Sequence, residues 1–495
     1  MDERKAVPIG SRIGVLAGRH PESPAVVSVA RDGTEQVLTW SMLERQSNVA
    51  ARLLAQQGVD RQCLVALLLP AGLSHGIATV AVWKLGGIVL SLDPDATDTE
   101  IVALLETAKP AFVVSDSATD ALRGVHVIRP DDLRSAATSA DPLLDQGIPR
   151  SAHATGGSTG RPRIILRVPA WMYGREVTVS ERELRSGVRA GQTQLLMLPL
   201  HHGGFTKLYN GLALDHKIVL MERFAPKLAA ELIVRHRVAY FVTVPAWMRR
   251  LLAVPGFDSM DLSSVTTVHQ SAAGCPDELK LAWFKVFRPE TLHEGYGSQE
   301  RIGTVWIRGD EWLMHRGSVG RPDDCRVRIY RDDGELAAAG ETGEIFLKTP
   351  GTGQPTYIGP GPLLSARDGY LSLGDAGFLD EEGYLHVVGR RAEMINVGGV
   401  KVYPAEVEHV LLGHEGVADA AVVHRSHAYL GQAVHALVVP VEENHPPTAL
   451  DLIEHCRSRL STAKVPISYE FVSRLEYSAA GKLRRQALSP DVRRA

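Results

Sequence analysis

Cysteine is scarce in this chain of 495 residues: there are four, Cys63, Cys275, Cys325 and Cys456, far apart and forming no CxxC pair. That spacing excludes a disulfide framework and a thiolate zinc site, and it predicts a reducing cytoplasm as the compartment. Charge of either sign is nearly balanced, with 54 Lys and Arg against 57 Asp and Glu and a formal net charge of -3. Nothing global therefore attracts nucleic acid or an anionic membrane, and any anion must meet a local site. No long hydrophobic run is present. The most apolar stretch, Gly76 to Leu92, contains Lys84 and paired glycines, so it reads as a helix followed by a strand and not as a membrane span. The charged opening Met1-Asp2-Glu3-Arg4-Lys5 predicts no signal peptide. Low-complexity tracts, 20–50-residue repeats and a Walker A loop are also lacking.

What is there is a globular composition, 44% apolar and 22% charged, long enough for about three domain-sized units. Over the first two thirds, short apolar runs (Cys63–Leu69, Ile88–Leu92, Phe112–Val114, Leu195–Leu198, Ile218–Met221, Tyr240–Val244, Val265–Val268) alternate with helix-like stretches such as Pro226–Arg237 and Pro276–Phe287. This alternation predicts an α/β architecture with a parallel sheet built by βαβ crossovers. From about Cys325 the pattern turns β-rich, with Asp332-Asp333-Gly334 as a turn between two strands. After Gly389-Arg390 comes a smaller α+β unit of about a hundred residues, with a helix opened by Pro404 and a last strand near Glu470–Val472.

Five clusters carry chemistry. Ala154-Thr155-Gly156-Gly157-Ser158-Thr159-Gly160-Arg161-Pro162-Arg163 combines three glycines, hydroxyl donors and two guanidiniums, which together can hold a polyphosphate. Taken alone it could equally be a flexible surface loop. Glu294-Gly295-Tyr296-Gly297-Ser298-Gln299-Glu300 places an aromatic ring, a flexible backbone and a carboxylate within a few residues. A purine can stack on Tyr296, and Glu300 can hold a hard divalent cation; a strand-end turn would need neither. Gly374-Asp375 follows a short apolar strand, where the carboxylate could accept two ribose hydroxyls or simply close a turn. The run from Gly389 to Glu408 joins charges, Gly398-Gly399 and Pro404, as a linker that swings a domain would. Ser478-Ala479-Ala480-Gly481-Lys482-Leu483-Arg484-Arg485 puts a lysine on a glycine-containing loop, or on a solvated tail.

In this order the clusters resemble the adenylate-forming superfamily of acyl-CoA synthetases, aryl-CoA ligases, beetle luciferases and peptide-synthetase adenylation domains. Minor matches are Leu198-Pro199-Leu200-His201-His202-Gly203, Gly317-Ser318-Val319-Gly320-Arg321-Pro322 and Gly340-Glu341-Thr342-Gly343-Glu344-Ile345. The resemblance implies a large N-terminal lobe, residues 1–391, with mixed or parallel sheets flanked by helices and a β-rich subdomain. A small mobile α+β lobe, residues 392–495, would carry the catalytic lysine. It further implies a two-step reaction with ATP and magnesium: a carboxylic acid becomes an acyl-adenylate with loss of pyrophosphate, and the thiol of coenzyme A then takes the acyl group and releases AMP. Positioned cations and N–H donors would be the main requirement of the first step. Thr155, Gly156, Gly157, Ser158, Thr159, Gly160 and Arg163 would surround the phosphates, with Ala273, Gly274, Gly297, Ser298 and Gln299 completing the nucleotide site. Glu300 would ligate magnesium, Asp375 the ribose, Tyr296 the adenine, and Arg390 the ribose or phosphate. Lys482 would bridge the carboxylate and the α-phosphate in the first step only.

For the acyl group, the resemblance implies a pocket of His202, Gly203, Trp247, Ser271, Ala272 and Gly297, with His202 beside the carboxylate. Ala392 stands at the hinge, where the family often has Asp or Lys, and Gly398-Gly399 would line the pantetheine tunnel. The stretch Pro199 to Phe205 contains no acid to pair with an α-amine, which disfavours an amino acid substrate. Small residues at Gly203, Gly204 and Ser271 to Gly274 suggest a roomy pocket. The motif pattern is similar to ligases of bulky polycyclic or terpenoid acids, such as bile-acid and steroid-side-chain CoA ligases. Alternatives are loading of an acyl-carrier protein and an aryl or fatty acid as substrate. The expected partners are the acid, ATP and CoA, without nucleic acid or membrane insertion, and with a homodimer left open. Three departures stand near the phosphates: Gly156, Arg163 and Gln299, where the family usually has Ser or Thr, Lys, and Thr.

Overall fold

The computed structural model describes residues 6–134, 138–143, 146–155, 163–167, 171–174, 181–322, 325–351, 353–359, 361, 363–477, 483 and 485–488. The chain divides into two compact units. The first comprises residues 1–242, 254–268 and 354–363; the second comprises residues 243–253, 269–353 and 364–495.

The first unit holds a seven-stranded sheet in the order Thr356–Ile358, Arg163–Arg167, Arg150–Thr155, Ile88–Ser91, Leu64–Leu68, Phe112–Ser115, Val127–Ile128. The run Leu-Val-Ala-Leu-Leu of Leu64–Leu68 is apolar on both faces because it lies inside the sheet with parallel neighbours on either side. The sheet is parallel there and antiparallel at one margin, a mixed sheet as expected. Arg150–Thr155 and Arg163–Arg167 pair antiparallel, Thr155 opposite Arg163, since the seven residues between them are too few for a crossover. The polyphosphate decapeptide is thus framed by a hairpin, Thr155 on one strand and Arg163 on the other; residues 156–162 lie outside the described residues. A second group of strands in this unit, Thr193–Leu196 with Lys217–Met221 and Pro24–Val29, is parallel, and Glu35–Thr39 closes its edge antiparallel.

The second unit contains the antiparallel pair Leu292–Gly297 and Thr304–Arg308 and a β-rich sheet of Arg326–Tyr330, Gly343–Lys348, Tyr370–Leu379, Ser365–Arg367 and Leu385–Arg390. Its C-terminal module is a five-stranded sheet in which Ser468–Phe471 joins Gly431–Pro440 parallel. The helices Pro404–Leu412 and Ala449–Arg457 contribute Val407, Leu411, Leu452 and Cys456 to its core. Ala449–Arg457 starts at a capping box, in which Thr448 and Asp451 satisfy each other's backbone N–H. The α/β architecture with a smaller C-terminal domain is as expected.

A polar network is buried in the first unit. The Lys84 ammonium is fully buried and donates to Glu44 Oε2 at 2.8 Å and Asn48 Oδ1 at 2.6 Å, while Asn48 Nδ2 donates to Glu44 Oε1 at 3.0 Å. Burial pulls the lysine pKa down, and the Glu44 charge opposes that shift. Lys84→Ala strands a buried carboxylate and amide, so urea unfolding is expected to show a loss of about 3–5 kcal/mol. Joint replacement of Lys84, Glu44 and Asn48 by apolar residues of similar volume is expected to cost far less.

Candidate active site

In the second unit three of the nominated side chains meet. Tyr296 lies on Leu292–Gly297, whose antiparallel partner is Thr304–Arg308, and its ring packs against the apolar cluster around Ile302, Val305 and Cys325. Asp375 does not terminate a strand as its Gly-Asp context suggested. The strand Tyr370–Leu379 runs on through it, bent at Gly374 (φ +81°), and register sets Asp375 directly opposite Arg390 on Leu385–Arg390. Tyr296 Oη donates to Asp375 Oδ2 at 2.8 Å, and Arg390 Nε lies 3.3 Å from Asp375 Oδ1. The Asp375 side chain is 11% exposed and that of Arg390 58%. A carboxylate with one oxygen tied inward and a guanidinium reaching solvent has both acceptor and donor capacity left for a polyol or an anion. Burial, then the Asp375 charge, raises the Tyr296 pKa well above its ordinary value, so the phenol stays a donor throughout the working pH range.

Gly297, Ser298, Gln299 and Glu300 follow on a turn in which Arg301 N–H donates to Ser298 O at 3.2 Å and Arg301 takes φ +57°. Gly297 and Gln299 are exposed there, Ser298 and Glu300 half-buried. Magnesium is commonly held by one or two carboxylates with substrate phosphates supplying the rest, and the single carboxylate of Glu300 fits that donor set. Among the described residues no cluster of three His, Cys, Asp or Glu could hold a metal unaided.

Ser271, Ala272, Ala273 and Gly274 form the segment after Thr267–Gln270. The amide of buried Gln270 donates to Ala273 O at 2.7 Å, and Ala272 sits at φ +76°, a conformation costly for a residue with a Cβ. Trp247 lies in the first turn of Pro245–Leu252 and is 7% exposed. Ala392 is exposed in a single 3-10 turn, Arg391–Glu393, whose Arg391 pairs with Glu344 at 2.7 Å and Asp332 at 3.0 Å. Gly398 and Gly399, at φ +56° and +93°, are the two turn residues of the hairpin Ile395–Val397 to Val400–Val402. That turn by itself requires glycine, independently of any tunnel.

The first unit holds Thr155, Arg163, His202 and Gly203. His202 precedes the helix Gly203–Ala213, where a Cβ at Gly204 would strike the carbonyl of Leu198. Phe205 and Tyr209 of that helix pack edge-on and tilted among Trp83 and Trp171, and Arg167 Nη1 donates to Thr206 at 2.6 Å. The base of His202 is therefore stiff. Lys482, Gly156, Gly157, Ser158, Thr159 and Gly160 lie outside the described residues, and of Thr155 only the backbone is described.

Three arrangements escaped sequence reasoning. His201, its side chain 10% exposed, has Nε2 3.4 Å from Asp93 Oδ2, and its ring centroid is 4.5 Å from that of His202. Burial brings its pKa down to about 4 and raises that of Asp93, so the imidazole beside His202 is neutral at physiological pH. Lys280 and Glu294 form a buried ion pair, with Lys280 Nζ 4.3 Å from the Trp312 ring centroid. The Tyr296–Asp375 bond joins residues 79 apart. A charged residue inside an apolar periodic segment, as at Lys280, was the available signal for the second; strand register, which sequence does not print, decides the third.

The pattern of the AMP-binding enzyme family matches residues 15–355, and that of the AMP-binding enzyme C-terminal domain matches residues 406–482. The chain belongs to the family of AMP-binding enzymes. It is 28% identical over 475 residues to 2-succinylbenzoate–CoA ligase of Bacillus subtilis, covering 93% of this chain and 94% of the relative. It is 30% identical over 489 residues to feruloyl-CoA synthase of an Amycolatopsis species, covering 95% and 96%. Among solved structures, o-succinylbenzoate CoA synthetase of Bacillus subtilis with its acyl-adenylate superposes with a TM-score of 0.82 at 26% identity, over 98% of each chain. The same enzyme with ATP and magnesium gives 0.80 at 26% identity, over 98% of this chain and 99% of that one. Within the family the protein is, by class, an AMP-forming acyl-CoA synthetase.

Tyr296→Phe removes the inward hydrogen bond of Asp375 and leaves its oxygen without that donor. The KM for ATP is expected to rise about tenfold, with a stability loss of about 1 kcal/mol by urea unfolding. A raised folded pKa supports the fold below the ordinary tyrosine value and is lost only as pH rises beyond it. The wild-type minus Tyr296→Phe difference spectrum should accordingly show no tyrosinate band up to pH about 10.

Proposed function

We propose that the chain activates a ring-bearing carboxylic acid with ATP and transfers it to coenzyme A, with residues 1–391 as the ATP- and acyl-binding domain and residues 392–495 as the mobile domain. A carboxylate is a poor acyl donor because its leaving group would be oxide. Attack of its oxygen on the α-phosphate of ATP expels pyrophosphate and yields a mixed anhydride; the CoA thiol then attacks the carbonyl carbon, loses its proton and displaces AMP. The observation that carries this reading is the convergence of Tyr296, Asp375 and Arg390 inside a chain whose two family patterns span residues 15–355 and 406–482.

In this reading Asp375 accepts from the ribose hydroxyls, the Tyr296 ring stacks on adenine, and Arg390 faces the ribose or phosphate. Thr155, Gly156, Gly157, Ser158, Thr159, Gly160 and Arg163 enclose the phosphates, and Ala273, Gly274, Gly297, Ser298 and Gln299 complete the nucleotide site. Glu300 would hold magnesium, which when bound supplies charge neutralisation at the phosphates. Lys482, an ammonium at neutral pH, bridges the carboxylate and the α-phosphate during adenylation and withdraws when the small domain turns about Ala392. Gly398 and Gly399 then border the pantetheine arm. His202, Gly203, Trp247, Ser271, Ala272 and Gly297 line the acyl group.

The small residues at Ser271 to Gly274 support a bulky polycyclic or terpenoid acid. The names of the relatives, for o-succinylbenzoate and ferulate, favour a monocyclic aryl acid as the second reading. Four cysteines that form no disulfide, three of them buried, support a reducing cytoplasm as the compartment, and among the described residues no helix is long and apolar enough to cross a membrane. A homodimer is the assembly to be tested by light scattering.

Pyrophosphate release across o-succinylbenzoate, ferulate, indoleacetate, palmitate, cholate and abietate, with and without CoA, is expected to be strongest for a ring-bearing acid; fastest release with palmitate would refute that class. Lys482→Ala is expected to abolish most acyl-adenylate formation and to spare thioester formation from supplied acyl-adenylate; equal loss of both removes the role given to the lysine. Glu300→Ala should shift the magnesium titration of pyrophosphate release to higher concentration, and an unchanged titration counts against its role.

A further inference from the structure

Lys482 lies outside the described residues, between Tyr477 and Leu483 in sequence; these two pair as an antiparallel bridge that clamps the chain at that point, and both side chains pack on the apolar cluster of Ala421, Val423, Leu437, Leu475 and Leu488. From that clamp a polar chain leads to another part of the second unit. Tyr477 Oη donates to Asp419 Oδ2 at 2.7 Å, and Arg249 Nη1 lies 3.8 Å from Asp419 Oδ1. Asp419 belongs to the strand Val417–His427 of the C-terminal module, whereas Arg249 belongs to the helix Pro245–Leu252, two residues past Trp247. The Asp419 and Arg249 side chains are 21% and 34% exposed. A carboxylate this sheltered, accepting from a phenol and facing a guanidinium, discriminates between orientations of the module far more sharply than a solvated pair would. A second polar contact runs the same way: His409 Nε2 of Pro404–Leu412 lies 3.8 Å from Asp277 Oδ1 at the start of Asp277–Trp283.

We propose that Arg249, Asp419 and Tyr477 are positioning residues for adenylation: together they form a latch that holds the root of the Lys482 segment to the helix bearing Trp247, and the latch must open for thioester formation. The inference rests on the functional reading in which Lys482 serves the first half reaction only. Its chemistry explains the placement of each group. Tyr477 fixes the segment's entry, Asp419 couples it to the module's sheet, and Arg249 ties that sheet to the helix on the acyl side. Because none of the three is assigned to the nucleotide or acyl site, their removal should change how often the lysine is in place and leave the affinity for the acid unaltered.

ATP–pyrophosphate exchange is measured with the acid of the panel above that wild type adenylates fastest. Thioester formation is measured separately, from the same acid supplied as its adenylate. Arg249→Ala and Asp419→Asn are each expected to slow exchange about tenfold with the KM for the acid unchanged. Thioester formation should stay within twofold of wild type or accelerate. The double variant should lose no more than either single one, because the two act as a unit. Arg249→Lys should restore most of the exchange rate, and Tyr477→Phe, which keeps the apolar anchor, should slow exchange without lowering the melting temperature. Equal losses in both half reactions, additive losses in the double variant, or unchanged exchange would overturn the latch. A wild-type protein that exchanges pyrophosphate with no acid counts against the functional reading itself, so the two failures are distinct.

Discussion

The buried carboxylate of Asp375 organises the second unit's candidate site. Taking a carboxylate out of water is costly unless donors meet it, and here they come from two other strands, the phenol of Tyr296 and the guanidinium of Arg390. That requirement fixes three strands relative to one another at one point. The bend at Gly374 and the register that sets Asp375 opposite Arg390 both serve it. With one carboxylate oxygen committed inward, the polar capacity that remains is limited and directional, which suits recognition of a sugar next to an anion.

Much of this was legible in the sequence, because the strongest signals were local. Apolar runs separated by amphipathic stretches located the strands Leu64–Leu68, Ile88–Ser91, Phe112–Ser115 and Lys217–Met221 to within a residue or two, and Pro404 marked the start of its helix. Arg326–Tyr330 and its turn at Asp332 to Gly334 were read directly from pattern. Chain direction at a sheet margin was not legible, since a strand such as Arg163–Arg167 carries the same pattern whether it pairs parallel or antiparallel; only the shortness of the preceding connection decides.

The candidate site was legible as a set of residues and illegible as a geometry. Tyr296, Asp375 and Arg390 could each be nominated from motif context, yet the hydrogen bond between the first two depends on register and on a bulge. Gly398-Gly399 could be nominated for close approach, while the structure gives both a sufficient local reason in a hairpin turn. His201 gives no signal of its own beside His202, although burial makes it a neutral imidazole beside a sheltered Asp93. Arg249 and Asp419 gave no motif signal at all. Their importance comes from tertiary contact between a helix near residue 249 and a strand near residue 419.

In the proposed reaction the acid is activated by bonding its own oxygen to the α-phosphate of ATP. The most direct measurement follows that oxygen: a substrate carboxylate labelled with oxygen-18 is turned over with ATP and CoA, and the nucleotide and phosphate products are weighed by mass spectrometry. One labelled oxygen is expected in AMP and none in pyrophosphate. Label in inorganic phosphate with ADP as the nucleotide product, or AMP without label, would contradict it.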